Sequence, residues 1–195
     1  NYVGLDRFEA RKRILKELKE KEFFVKEENI KNKVPYGDRS NSIIEPFLTE
    51  QWFADAGKLS IKAKEVVNSK KTNFFPANWS KTYFQWMDNI EPWCISRQLW
   101  WGHQIPAWYG PDEKIFVAEK EDDAKQQAKK HYGKDVKLIR DPDVLDTWFS
   151  SGLWPFATLG WPDDNKYVDK FYPTSVLVTG FDIIFFWVAR MIMFG

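Results

Sequence analysis

The 195-residue chain has 29 basic and 28 acidic side chains, a formal net charge of +1, and 44% hydrophobic residues. This hydrophobic fraction can form a buried core, which excludes disorder as the default state, and the balanced charge excludes an overall basic surface for nucleic-acid phosphates. The single cysteine, Cys94, excludes an internal disulfide and a zinc site built from several thiolates, and it agrees with a reducing compartment.

The two ends of the sequence lack the features of natural termini. Residues 1–4 contain no initiator methionine, basic flank or apolar core, so they do not form a signal peptide. The apolar run of residues 183–189 stops at Arg190, far short of the roughly 20 residues that cross a bilayer. We therefore expect an internal segment of a longer cytoplasmic protein that does not enter a membrane.

The first part of the chain predicts one helix followed by irregular structure. Asp6 can cap a helix over about residues 6–22, with Glu9 three residues after the cap. Residues 23–42 are charged and include the turn signal Pro-Tyr-Gly-Asp, so we expect short strands and loops there.

Two further helices are predicted between residues 51 and 90. Leu59 to Val67 form a basic amphipathic pattern, typical of a helix with a solvated lysine face, although such helices also bind membranes or RNA. Ser80 is the expected cap of the second helix, which contains Tyr83, Phe84, Trp86 and Met87.

The second half of the chain alternates aromatic, polar and apolar segments. Residues 93–109 place four tryptophans around Ser-Arg-Gln, and residues 110–140 are polar and helix-prone, with Gly133 as the expected helix end, which is typical of a surface insertion. Residues 175–179 are rich in β-branched side chains and predict a buried strand before a Gly-Phe-Asp turn and an apolar helix. A strand, turn and helix in this order indicate an α/β sheet, which binds ligands at the carboxyl ends of its strands. Considered alone, the turn favours Asp182 as a simple helix cap.

A resemblance to a known family extends over most of the chain. The run Trp-Cys-Ile-Ser-Arg-Gln-Leu-Trp-Trp-Gly-His-Gln-Ile-Pro-Ala-Trp at residues 93–108 resembles the large class I aminoacyl-tRNA synthetases that activate branched aliphatic amino acids, in the valyl form. Residues 143–162, with Asp-Thr-Trp-Phe-Ser-Ser, and residues 171–193 match the same family in the same order. Residues 4–11 resemble the closing helix region of the valyl editing insertion.

The resemblance implies an α/β fold that is part of a Rossmann-like class I synthetase catalytic domain. Residues 1–48 would be the C-terminal end of the editing insertion, and residues 49–92 a helical connector. Residues 93–195 would be the second part of the catalytic domain, with a surface insertion at about 110–140.

The resemblance also implies roles for particular residues. It assigns the amino-acid pocket to Trp148, Ile183 and Trp187, for which the alternative is ordinary core packing. It places Thr179, Gly180 and Asp182 against the aminoacyl-adenylate, and Arg97 beside the tRNA acceptor end. The alternative for Arg97 is a salt bridge that fixes its strand, and no residue of the chain is assigned as catalytic.

The activity implied for the longer protein is ATP-dependent joining of valine to its tRNA through valyl-adenylate, with hydrolysis of mischarged threonyl-tRNA. Its partners would be valine, ATP with Mg²⁺, and tRNA, and it would be monomeric. Neither ATP-binding signature of the family occurs here, so we expect the segment alone to be inactive. One alternative is an isoleucyl or leucyl relative; another is an RNA-binding or interaction module with stacking tryptophans.

The sequence departs from the family at its zinc-binding cysteines and at a histidine. Many relatives carry cysteine pairs near residues 36–42 and after residue 109; here they are absent, so we expect no structural zinc. His103 does not belong to the paired-histidine element that binds ATP, and we expect it to pack among the tryptophans.

Overall fold

The computed structural model describes residues 2–38, 40–163 and 166–195. The chain forms two compact units, Asn1–Leu48 and Thr49–Gly195.

The first unit contains helix α1, Arg7–Glu20, followed by irregular chain. The Asp6 carboxylate caps this helix as predicted, accepting a hydrogen bond from the Phe8 amide at 2.9 Å. The short strands predicted for residues 23–42 are wrong. In this part of the described chain only Tyr36 and Ile43 pair, as an isolated bridge, and the residues beside them do not continue the pairing into a strand ladder.

The core of the second unit is helical. Helices α2, Ala56–Asn68, and α3, Trp79–Asp88, pack with the C-terminal helix around a buried cluster. Tyr83 lies within this cluster and donates its hydroxyl hydrogen to the Ala63 carbonyl at 2.9 Å. The lysines of α2 lie on its solvated face, as predicted. Ser80 is not the helix cap, because α3 begins one residue earlier and the Ser80 hydroxyl bonds back to the Ala77 carbonyl.

Short antiparallel strand pairs connect the two halves of this unit. Strand β1, Phe53–Ala54, pairs with β2, Trp93–Cys94. Strand β3, Ser96–Arg97, pairs with β7, Val144–Leu145. The other edge of β7 forms backbone hydrogen bonds with residues 103–105. The segment that ends in β7 therefore lies between two stretches of the tryptophan-rich region.

Residues 107–140 form a small layer with its own core. Strands β5, Ile115–Val117, and β6, Ile139–Arg140, flank β4, Ala107–Tyr109, and helix α4, Glu121–Tyr132, packs on this sheet. The helix ends at Gly133, as predicted, with φ of 69° in the left-handed region that glycine adopts at low cost.

The remaining chain is mostly helical. It comprises α5 Thr147–Gly152, α6 Trp154–Ala157, α7 Lys166–Phe171, a 3₁₀ turn Phe181–Ile183, a π-helical turn Ile184–Val188 and α8 Ala189–Phe194. None of the helices built by the described residues is long and apolar enough to span a bilayer.

The buried strand predicted at residues 175–179 is wrong for this chain. These residues lie outside every strand, and Val176 and Val178 are 79% and 89% exposed. The physical reason is that a strand needs a neighbour for its amide and carbonyl groups, and no described strand lies beside it. All strand pairs in the described part of the chain are antiparallel.

A buried carboxylate joins β4 to the start of the second unit. Asp141 is 4% exposed and accepts hydrogen bonds from the Trp52 indole at 2.8 Å and the Tyr109 hydroxyl at 2.6 Å. Burial, followed by this hydrogen bond, raises the pKa of Tyr109 to about 12.

We predict that Tyr109→Phe costs about 1.5–3 kcal/mol of unfolding free energy at neutral pH, because it removes a hydrogen bond to a buried charge. Since the folded pKa lies above the ordinary value of 10, the contribution of Tyr109 is complete below pH 10 and disappears as the pH rises through about 12. Urea unfolding of both proteins at several pH values measures this. A stability difference that stays constant up to pH 12 would contradict the assignment.

Helix α5 approaches α8 closely at Gly152, where an added Cβ would lie 2.8 Å from the Phe194 ring. We predict that Gly152→Ala destabilises the chain by about 1–3 kcal/mol through overpacking. Gly57→Ala is the matched control, because a Cβ there meets only the Asp55 carboxylate at 3.4 Å, and alanine favours the helix by about 0.5–1 kcal/mol. Equal effects of the two substitutions on the urea midpoint would refute the close approach.

Candidate functional site

The candidate site is built around the turn that leads into the C-terminal helix. Thr179, Gly180 and Asp182 are exposed, and Ile183 is half-buried at the end of the 3₁₀ turn. The Asp182 carboxylate lies close to Gly180, where an added Cβ would be 2.5 Å from its oxygen, but it makes no side-chain cap to the turn. The simple capping role is therefore not observed.

A π-helical turn, Ile184–Val188, carries Trp187 between the 3₁₀ turn and α8. Such turns are rare and occur frequently at functional sites, because the extra residue per turn changes which side chains face a neighbour. The Trp187 indole nitrogen donates to the Ser151 carbonyl of α5 at 3.0 Å. This bond fixes the ring of Trp187 against the helix that also carries Trp148.

Trp148 packs against the same turn from the side of α5. Its ring is half-buried and stacks with Phe186, with ring centroids 5.8 Å apart and an interplanar angle of 25°. Trp148 and Trp187 therefore lie at one interface, between α5 and the π-helical turn. Trp148 stacks on Phe186 of the turn, and Trp187 bonds to Ser151 of α5. Ile183 lies one residue before the π-helical turn that forms this interface.

Arg97 forms the salt bridge considered as its alternative role. Its Nη1 donates to the carbonyls of Cys94 and Ser96 at 2.8 Å, and its Nη2 lies 3.4 Å from the Asp146 carboxylate. The side chain as a whole is 38% exposed.

A buried charged cluster lies behind these residues. Asp146 is 8% exposed and accepts a hydrogen bond from the Trp93 indole at 2.9 Å, immediately before α5 begins. Arg190 of α8 is 5% exposed, and its Cζ stands 3.3 Å from the centroid of the Trp93 ring. The sequence reasoning missed this cluster, although an arginine inside an apolar helix was its visible signal.

Burial lowers the pKa of the Arg190 guanidinium to about 10, and the opposing attraction of Asp146 only partly restores it. The Arg190 Nε and Nη1 atoms are buried without a hydrogen-bond partner among the described residues. The guanidinium stays charged at neutral pH, and the cation–π contact with Trp93 offsets part of the cost of burying it.

A cavity of about 320 Å³ opens beside this cluster. Its lining includes Trp86, Trp93, Arg97, Phe185 and Arg190, and none of the three predicted pocket residues contributes to it. The cavity therefore does not coincide with the predicted amino-acid pocket.

The tryptophans of residues 93–108 separate into two kinds. Trp93 and Trp108 are buried, whereas Trp100 and Trp101 are 98% and 86% exposed. His103 is also exposed, so the expectation that it packs among tryptophans is wrong. Its loop is held by the backbone, with the His103 carbonyl accepting a hydrogen bond from the Leu145 amide at 2.7 Å.

Among residues 2–38, 40–163 and 166–195, no group of three or more His, Cys, Asp or Glu side chains could hold a metal ion.

Comparison with known proteins gives one family. The model of the class I tRNA synthetases (I, L, M and V) matches residues 8–195. A valine–tRNA ligase of Pelagibacter ubique is 90% identical over 194 residues, which are 100% of this chain and 22% of the relative. Valine–tRNA ligases of Brucella melitensis and Fusobacterium nucleatum are 59% and 57% identical, over 98% and 100% of the chain and 21% and 22% of those relatives.

The chain thus spans about a fifth of the length of the curated relatives that it matches. The family match covers the tryptophan-rich strands, the buried charged cluster and the turn with Ile183 and Trp187 together. The chain belongs to the class I tRNA synthetases of the isoleucine, leucine, methionine and valine group.

Proposed function

We propose that this chain is a segment of a valine–tRNA ligase, which forms valyl-adenylate from valine and ATP and transfers the valyl group to tRNA. The observation that carries the proposal is the 90% identity to the Pelagibacter valine–tRNA ligase along the whole chain. The Brucella and Fusobacterium relatives carry the same name.

Trp148, Ile183 and Trp187 are proposed as walls of the valine side-chain pocket. The bond from the Trp187 indole to the Ser151 carbonyl supports this role, because it fixes Trp187 to α5, the helix that carries Trp148. An apolar pocket excludes isoleucine by volume, but rejects the hydroxyl of threonine only about 10²-fold. Hydrolysis of threonyl-tRNA at a separate editing site supplies the missing discrimination.

Thr179, Gly180 and Asp182 are proposed to lie against the adenylate. Their exposure at the start of the 3₁₀ turn supports this, since backbone groups and a carboxylate there are accessible to a ligand. Adenylate formation is an in-line attack of the valine carboxylate on the α-phosphate, a reaction accelerated by positioning and charge stabilisation.

Arg97 is proposed to contact the tRNA acceptor end with its guanidinium. The salt bridge to Asp146 would then orient Arg97 for a phosphate and not compete with it, because Asp146 contacts only Nη2. Mg²⁺ would enter with the phosphates of ATP.

The proposed domain division follows the same relationship. Residues 1–48 end the editing insertion, residues 49–92 connect it, and residues 93–195 belong to a Rossmann-like catalytic domain with a surface insertion at about 110–140. The helix, small sheet and separate core of residues 107–140 support the insertion. The whole ligase is proposed to be cytoplasmic and monomeric, and to contain no structural zinc in this region.

Two alternatives have less support. An isoleucyl or leucyl activity would fit the family but not the names of the relatives reported above. A separate RNA-binding module would use exposed tryptophans such as Trp100 and Trp101, but Arg97, the arginine of the same tryptophan-rich segment, is paired with an acid.

A graft tests the proposal in an intact enzyme. The 195 residues replace the matching segment of the Pelagibacter relative, and exchange of pyrophosphate into ATP is measured with valine, isoleucine and threonine. We expect preferential exchange with valine, and no exchange by the isolated chain, which lacks both ATP-binding signatures. Preference of the graft for another amino acid would refute the valine assignment.

Ile183→Ala in the graft should enlarge the pocket. We expect isoleucine to gain on valine in kcat/KM for adenylation by a shift on the order of 1–3 kcal/mol, the value of a methylene in an apolar pocket. Val67→Ala is the control, because Val67 is 8% exposed on α2 in the helical core, outside the π-helical turn, and its truncation should lower stability without changing the ratio. An unchanged ratio for Ile183→Ala would remove this residue from the pocket.

A further inference from the structure

We propose that Arg190 is a positioning residue for amino-acid selection, which holds α8 and the π-helical turn at a fixed distance from α5 through Trp93 and Asp146. This inference rests on the proposed function, because it concerns the pocket assigned there to Trp148 and Trp187.

An arginine at this position is not explained by packing. Arg190 is 5% exposed, and two of its side-chain nitrogens have no hydrogen-bond partner among the described residues. Replacement of buried charged groups by apolar residues of similar volume is often neutral or stabilising. The guanidinium therefore has a role other than stability.

Three contacts follow one another from Arg190 through Trp93 to Asp146, at the start of α5, and on to Ile95. Its Cζ lies 3.3 Å from the Trp93 ring centroid, and the Trp93 indole donates to the Asp146 carboxylate at 2.9 Å. Asp146 directly precedes α5, and its backbone amide is held by the Ile95 carbonyl at 2.7 Å. On the other side, the Arg190 Cζ is 5.2 Å from the ring centroid of Phe185 in the π-helical turn.

The two elements joined in this way carry the proposed pocket walls. Trp148 is the second residue of α5, and Trp187 lies in the π-helical turn, three residues before Arg190. The planar guanidinium acts as a spacer between the Trp93 and Phe185 rings. Because valine and isoleucine differ by one methylene, a small displacement of the turn relative to α5 is enough to change the selection between them.

The experiment uses the grafted ligase described above with Arg190→Met, Arg190→Lys, Trp93→Phe and the double variant Arg190→Met/Trp93→Phe. The measured quantities are kcat and KM for adenylation with valine and with isoleucine, the KM for ATP, and the midpoint of thermal unfolding. Tyr83→Phe is the control, because it removes a buried hydrogen bond, to the Ala63 carbonyl, from the same helical core but outside the three contacts.

We expect Arg190→Met to lower the valine-to-isoleucine ratio of kcat/KM about tenfold, through a higher KM for valine, with the KM for ATP unchanged. Arg190→Lys, which keeps the cation over the ring, should retain more of the ratio than Arg190→Met. Trp93→Phe should also lower the ratio, and the double variant should lose less than the product of the two single losses, since both substitutions break one connection. Tyr83→Phe should lower the unfolding midpoint and leave the ratio unchanged.

An unchanged ratio in a folded Arg190→Met variant would overturn the proposal, as would an equal loss of the ratio in Tyr83→Phe. If Arg190→Met does not fold, unchanged ratios in both Arg190→Lys and Trp93→Phe would overturn it. Failure of the unsubstituted graft to activate valine would instead refute the proposed function, and it is observed before any substitution is made.

Discussion

The buried carboxylate of Asp146 is the constraint on which the second unit of the chain depends. A charge removed from water must be compensated by donors in good geometry. The Trp93 indole supplies a hydrogen bond at 2.9 Å, and the Arg97 guanidinium supplies the opposite charge at 3.4 Å. Because Trp93 belongs to β2 and Arg97 to β3, one carboxylate fixes two strands at the point where α5 begins.

A second carboxylate extends the same arrangement. Asp141, five residues earlier, binds the Trp52 indole and the Tyr109 hydroxyl. The short segment from Asp141 to Asp146 is therefore held by two buried acids, one on each side of β7. Strands of two residues have little stability by themselves, so these side-chain bonds, together with the helical core, determine where the chain lies. The proposed pocket is formed against that fixed segment.

Local signals in the sequence were sufficient for helices α1, α2 and α4. The Asp6 cap, the amphipathic pattern of α2 and the left-handed end at Gly133 each act within a few residues, and the structure contains all three. Strand pairing is a long-range property. The local sequence of residues 175–179 favours a strand, but it does not show whether a partner strand lies beside them, and no described strand does.

Burial of particular side chains was equally hidden in the sequence. Composition and spacing did not separate buried Trp93 from exposed Trp100, because the difference depends on which partner each ring meets. Arg190 interrupts an apolar run, which showed that it is unusual, but only its distance from the Trp93 ring shows why. The proposed pocket residues came from ordered family motifs, and their common interface came from the structure.

The bond between Trp93 and Asp146 is the contact that we expect to fix the start of α5. A double-mutant cycle with Trp93→Phe and Asp146→Asn, measured as free energies of unfolding in urea, tests it most directly. The geometry predicts a coupling energy of about 1.5–3 kcal/mol, as expected for a hydrogen bond to a buried charged group. A coupling energy indistinguishable from zero would contradict the account.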